Sequence, residues 1–245
     1  MEFTGKKAIV TGATRGIGKA VTLALLSRGA QVIGIYAGNT KAAEQLTAEA
    51  EQLSGILQLH QLDVREYTAV EEFFSQIEST HDSIDILVNN AGVRRDAMVA
   101  LMKLEDWQQV IDVNLGGGFN MSKFAVPLMM KQKYGRIIFI TSPMGSLGFP
   151  GQGNYAASKA GQVGLAKSLS KEVAKKKITV NCVSPGFIAT DLIDDLTDVQ
   201  VKEYKKMVPL KRFGKPEEVA EAVLFLASEK AAYINGAVLE VTGGL

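Results

Sequence analysis

Lys7-Ala-Ile-Val-Thr-Gly-Ala-Thr-Arg-Gly-Ile-Gly18 is the stretch from which the rest of the chain is read. It begins with a short apolar run rich in β-branched residues and stops at glycines spaced Gly12-x-x-x-Gly16-x-Gly18. Beyond them Ile17, Ala20, Val21, Ala24 and Leu25 recur at helical spacing until Gly29 ends the pattern. The order is strand, glycine turn, helix. Residues without Cβ let a backbone approach a large anion closely, and a helix N-terminus adds free N–H groups and the positive end of its dipole. The turn therefore reads as a pyrophosphate cradle, with a plain tight strand-to-helix turn as the alternative.

The same alternation runs outward from it. Strands are predicted over 31–36, 57–64, 84–88, 137–141, 178–183 and 237–241. Helices are predicted over 41–53, 66–79, around 107–113, and over 119–130, 155–174 and 216–228. Gly135-Arg136 is expected to break the helix before the fifth strand, and Pro216 to open the last helix. Residues 187–213 have weak periodicity and many charges, which suits a substrate loop carrying one or two short helices. Seven apolar strands alternating with amphipathic helices imply a single doubly wound α/β (Rossmann-like) domain over 1–245, with a seven-stranded parallel sheet. Ligands of such sheets bind outside the carboxyl ends of the strands. Gly12, Asp63, Asn89, Ser142 and Pro185 each fall at such an end.

Composition excludes several classes. The 27 basic and 26 acidic side chains leave no net field for nucleic acid or a membrane surface. The polar start and the lack of a long apolar run predict a soluble cytoplasmic protein. Cys182 is the only cysteine and lies in an apolar run, so it reads as a packed thiol. His60 and His81 are the only histidines and lack metal or triad spacing, so no metal is expected.

Acid–base chemistry must then come from elsewhere, and Ser142 to Lys159 offers it. Tyr155 and Lys159 are four residues apart and share a helix face. An ammonium beside a phenol favours the phenolate and lowers the tyrosine pKa toward neutrality. Ser142 brings a hydroxyl toward the same point across a Gly/Pro-rich turn. Asn114, within Val110-Ile-Asp-Val-Asn-Leu115, reads either as a functional residue or as one that caps or kinks a helix.

Taken together and in order, Thr11-Gly-x-x-x-Gly-x-Gly18, Asn89-Asn-Ala-Gly92, Asn114, Ser142, Tyr155-x-x-x-Lys159 and Pro185-Gly186 resemble the short-chain dehydrogenases/reductases over the whole chain. Tyr36-Ala-Gly-Asn39, Asn154-Tyr-Ala-Ala-Ser-Lys-Ala-Gly161, Ile178-Thr-Val-Asn181 and Pro185-Gly-Phe-Ile-Ala-Thr-Asp191 resemble, more narrowly, the 3-oxoacyl-carrier reductases of that family. The resemblance implies that Tyr155 donates a proton to a ketone oxygen that Ser142 holds. Lys159 lowers the tyrosine pKa and holds the nicotinamide ribose, and Asn114 anchors a water that passes protons to the lysine. It also implies cofactor contacts at Gly12, Thr14, Arg15, Gly16, Ile17, Gly18, Asp63, Val64, Asn89, Ala91, Gly92, Pro185, Gly186, Ile188 and Thr190.

NADPH is the expected cofactor. Tyr36-Ala37-Gly38-Asn39 carries no acid for a ribose 2′-hydroxyl, and Arg15 is a cation for a 2′-phosphate, its alternative being a solvated surface charge. Lys133 and Lys176 match the family's docking positions for an acyl carrier protein, or serve only as helix C-terminal cations. A homotetramer is expected by resemblance alone. The chain departs from the family at Pro143 and Met144, at Gly116-Gly117-Gly118 and at its ending Val241-Thr-Gly-Gly-Leu245. Met144 is expected to add an apolar wall that puts the acyl chain in question. Two other readings stay open: a reductase of another ketone, such as a sugar, polyol or steroid, and a non-catalytic dinucleotide-binding sensor or scaffold.

Overall fold

The strands that bury both faces lie at the centre of the sheet. In the computed structural model, which describes residues 1–190 and 197–245, β1 (Lys7–Thr11), β4 (Ile86–Asn89), β5 (Gly135–Ile140) and β6 (Ile178–Pro185) are almost wholly buried. β2 (Gln31–Tyr36) joins them on one side. The edge strands β3 (Ile56–Gln61) and β7 (Val238–Val241) alternate between exposed and partly covered residues. The order is β3-β2-β1-β4-β5-β6-β7, with every pairing parallel. The expected doubly wound fold is borne out. β1 pairs with both β2 and β4, so the direction of winding reverses there and a crevice opens at their carboxyl ends.

Two apolar layers hold the sheet. On one face Val10, Val21, Leu25, Val88, Val219 and Val223 pack together, contributed by β1, β4, α1 (Gly16–Ser27) and α9 (Pro216–Ala227). On the other Ile9, Phe73, Phe74, Met121, Phe139 and Ala166 bring in α3 (Tyr67–Thr80), α5 (Gly117–Gln132) and α7 (Gly153–Val173). α2 (Thr40–Ala50) is capped by Asn39, whose side chain accepts from the Ala42 N–H.

Several boundaries differ from the sequence reading for physical reasons. α5 does not end at Gly135-Arg136; Lys133 turns the chain in a left-handed conformation (φ 58°), and Gly135 already belongs to β5. α4 (Leu104–Ile111) runs into α5 through a π-helical turn, Asp112–Gly116, that holds Asn114. A short helix not expected from periodicity, α6 (Met144–Leu147), follows Pro143. Within 187–213 the structure describes α8 (Asp198–Met207), capped by Thr197. Asp191, the last residue of the Pro185 to Asp191 phrase, lies outside the described residues. Among the described residues no helix is long and apolar enough to cross a membrane, and no cluster of His, Cys, Asp and Glu is suited to a metal.

Candidate active site

The glycine turn is held open by its neighbours as much as by its own sequence. Gly12 and Gly16 have positive φ (63° and 49°), a conformation that side-chain-bearing residues resist. Gly18 is required for a different reason: a Cβ there would lie 2.1 Å from the Gly12 carbonyl oxygen and 2.4 Å from Asn90 Nδ2. Asn90 is the clamp, donating from Nδ2 to the Thr11 and Gly12 carbonyls at 2.9 and 3.2 Å. Thr11 Oγ1 accepts from the Asn90 and Ala91 N–H groups, both at 2.9 Å. The β4 end is thus laced to the β1 turn. The resulting glycine-lined cradle at the N-terminus of α1 fits a pyrophosphate.

The other expected cofactor residues ring this cradle. Thr14 is buried, Ile17 is half-buried and Arg15 is exposed. Ala37, Gly38 and Asn39 are exposed just past β2, where Asn39 is occupied as a helix cap. Thr190 closes on Gly16, its Cγ2 3.2 Å from where a Cβ would stand. Ile188 is buried and bridges to Gly214, and the Gly186 N–H donates to the Val241 carbonyl at the end of β7. Asp63 is held by Arg65, whose guanidinium hydrogen-bonds both of its oxygens and keeps the carboxyl below its ordinary pKa. Val64 is buried against Gly117, and its carbonyl accepts from Asn120. The Asn89 side chain turns away from the crevice, donating to Ser122 Oγ at 3.0 Å.

Ser142, Tyr155, Lys159 and Asn114 converge beside the cradle. Gly145 lets α6 sit on α7, since a Cβ there would be 2.9 Å from the Ala160 nitrogen. Pro143 and Met144 are both buried where α6 begins. The Lys159 ammonium lies 5.5 Å from the Tyr155 ring centroid and donates to the Ile140 carbonyl at 2.7 Å and Gln162 Oε1 at 3.2 Å. Burial lowers its pKa to about 8. Tyr155 departs from expectation: burial raises its pKa, opposed by the Ser142 hydroxyl and Arg94, with Asp96 adding to the rise. Asn114 is fully buried; its side chain accepts from Val93 N at 2.8 Å and donates to Val93 O and Ser158 Oγ. It fastens the loop after β4 to α7.

A family model described as enoyl-(acyl carrier protein) reductase matches residues 12–245. The chain belongs to the short-chain dehydrogenase/reductase family. The chain is similar to the 3-oxoacyl-(acyl-carrier-protein) reductases of Thermotoga maritima (44% identical, covering 100% of this chain and 99% of that one). It is similar also to those of Haemophilus influenzae (48%, covering 98% of each) and Escherichia coli (45%, covering 100% and 99%). Among solved structures it resembles a "putative gluconate dehydrogenase" from Agrobacterium tumefaciens, with a TM-score of 0.95 and 30% identity over 99% of this chain and 96% of that one.

Within this short-chain reductase scaffold, sequence reasoning passes over Asn90, Ser158 and Gln162 as site-building residues. Asn90 was legible in part, as the second residue of the Asn89 to Gly92 phrase. Gln162 carried one signal, a polar side chain three residues after Lys159 and therefore on the same helix face.

Proposed function

We propose that the protein reduces the ketone of a 3-oxoacyl thioester, presented on an acyl carrier protein, to the 3-hydroxyacyl thioester with NADPH. The observation that carries this reading is the convergence of Ser142, Tyr155 and Lys159 beside a glycine-lined cradle that fits a dinucleotide. The activity for which relatives 44–48% identical over nearly the whole chain are named supports it. The 30% neighbour gives weaker support to a sugar or polyol substrate.

NADPH, when bound, supplies the hydride. The chain's own residues handle the oxygen. Ser142 donates a hydrogen bond to the carbonyl oxygen and stabilises the negative charge that grows there. Tyr155 gives that oxygen its proton. A phenol whose pKa is raised by burial stays protonated at neutral pH, the state a proton donor in a reduction requires. Lys159, with its pKa lowered to about 8, returns a proton toward the tyrosine. Arg15, Thr14 and the glycine turn hold the phosphates, and Gly92, Ala91, Pro185, Gly186, Ile188 and Thr190 line the remainder, with residues 187–213 acting as the substrate loop.

Lys133 and Lys176 stand at the turns entering β5 and β6, at the amino-terminal end of the sheet, opposite the crevice. Carrier docking there is therefore proposed together with the homotetramer, in which a carrier on one protomer's lysines serves a neighbour's crevice. The cytoplasm is the proposed location. The test is reduction of acetoacetyl thioester by NADPH, with Tyr155→Phe expected to lose about 10²–10⁴-fold in kcat. Full activity in that variant would overturn the mechanism. Lys133→Glu with Lys176→Glu should raise KM for carrier-bound substrate and leave the small thioester unchanged; an equal change in both removes the docking proposal.

A further inference from the structure

Gln162 is 1% exposed, and both ends of its amide are engaged by groups of the candidate site. Its Oε1 accepts from Lys159 Nζ at 3.2 Å, and its Nε2 donates to the main-chain carbonyl of Asn114 at 2.7 Å. The bridge is assembled by close packing. A Cβ on Gly161 would come 2.8 Å from the Leu115 side chain, so this glycine lets α7 and the π-helical turn approach.

The chemistry of the bridge is specific. Lys159 is 3% exposed, and no carboxylate pairs with it among the described residues. Its charge rests on two neutral oxygens, the Ile140 carbonyl and Gln162 Oε1. A carbonyl accepts and never donates, so the Asn114 carbonyl dictates which end of the amide faces it. The other end must then present its oxygen to the ammonium. A carboxylate at this position would hold the proton on Lys159 more tightly, and an apolar side chain would leave the ammonium with a single partner.

We propose that Gln162 is a positioning residue that orients and tunes Lys159 through a direct amide bridge to the Asn114 backbone, occupying the place where the sequence reading puts a water. The proposal rests on the proposed role of Lys159 in returning protons. Other ionisable groups near the pair are few. Tyr155 lies on the same helix, with Arg94 and Asp96 beside it from the loop after β4. Cys182 faces Lys159 from β6, its thiol pushed up to about 12 and so neutral through the working range. The groups offered by β5 and the π-helical turn, the Ile140 carbonyl and Asn114, do not titrate.

The test compares Gln162→Leu with Gln162→Glu by two readouts. The first is the pH profile of kcat/KM for acetoacetyl thioester with NADPH; the second is the ionisation midpoint of Lys159 in ¹³C-lysine-labelled protein, its signal identified by its loss in Lys159→Met. Gln162→Leu removes an acceptor from the ammonium and should move the midpoint and the alkaline limb down by about one pH unit, while Gln162→Glu should move both up. Opposite signs are the signature, because a merely structural defect would lower activity at all pH values alike. Shifts in the same direction, or a Lys159 midpoint unchanged in both variants, would overturn the proposal. Should Gln162→Leu fail to fold by circular dichroism, the upward shift in Gln162→Glu decides. Absence of NADPH-dependent reduction in the wild type would defeat the functional reading, while the resonance measurement still decides the bridge.

Discussion

Gly18→Ala is the most direct perturbation of the β1 turn. The added Cβ would stand 2.1 Å from the Gly12 carbonyl oxygen, more than 1 Å inside an ordinary contact of about 3.5 Å, and 2.4 Å from Asn90 Nδ2. Neither obstacle is the free end of a flexible side chain. The oxygen belongs to backbone, and Asn90 is held by two hydrogen bonds, at 2.9 and 3.2 Å. Overpacking of this kind costs about 1–3 kcal/mol, and losing the two Asn90 bonds adds about 1 kcal/mol each. A total of about 3–5 kcal/mol corresponds to a fall in Tm of roughly 6–20 °C for a chain of this size. Gly38 is the matched control: nothing lies within 4 Å of its Cβ position and its φ is not positive. Gly38→Ala should therefore leave stability within about 1 kcal/mol of wild type or improve it. Urea unfolding gives the free energies and NADPH fluorescence titration the affinity. Gly18→Ala should lose affinity at least tenfold as the cradle distorts. Wild-type stability and affinity in that variant would refute the argument that the turn is closed by contact with Asn90.

Arg15→Ala should raise KM for NADPH about tenfold, as a lost charge-assisted hydrogen bond of about 1.4 kcal/mol requires, with NADH kinetics unchanged. Because burial lowers the Lys159 pKa to about 8 in the fold from its ordinary 10.5, the unfolded chain binds more protons between those pH values. This group's contribution to stability therefore falls as pH drops from 10.5 to 8, by roughly 3 kcal/mol. Unfolding free energies at pH 7.5 and 10 should accordingly rise with pH more in the wild type than in Lys159→Met. Lys133 ends α5 at φ 58°, so Lys133→Gly should stabilise by about 0.5–1 kcal/mol in urea unfolding by removing a left-handed side-chain cost.

The fold was legible because its signals are local and repeated. β2 was read to the residue, and the apolar runs of β1, β4, β5 and β6 announce strands buried on both faces. Boundaries failed where a residue did something its type does not advertise. A lysine and not a glycine ends α5, and four residues after Pro143 close into a helix too short to show a period. The tyrosine pKa failed for another reason. Spacing places Lys159 one turn from Tyr155, but it cannot show that the ammonium is drawn to the Ile140 carbonyl and Gln162, leaving burial to dominate the phenol.

Asn114 marks the limit of what spacing conveys. Read alone, it offered a structural alternative, a cap or kink, against a functional one. In the fold the two are the same arrangement. The helix from α4 to α5 widens into a π turn at Asp112–Gly116, a distortion that recurs at functional sites. The Asn114 side chain pins Val93 beside the crevice while its carbonyl takes the Gln162 amide that reaches Lys159. The helix irregularity is what brings the carbonyl within reach of a residue 48 positions away. That coupling exists only once β4, the π turn and α7 are packed together, so no window along the sequence contains it.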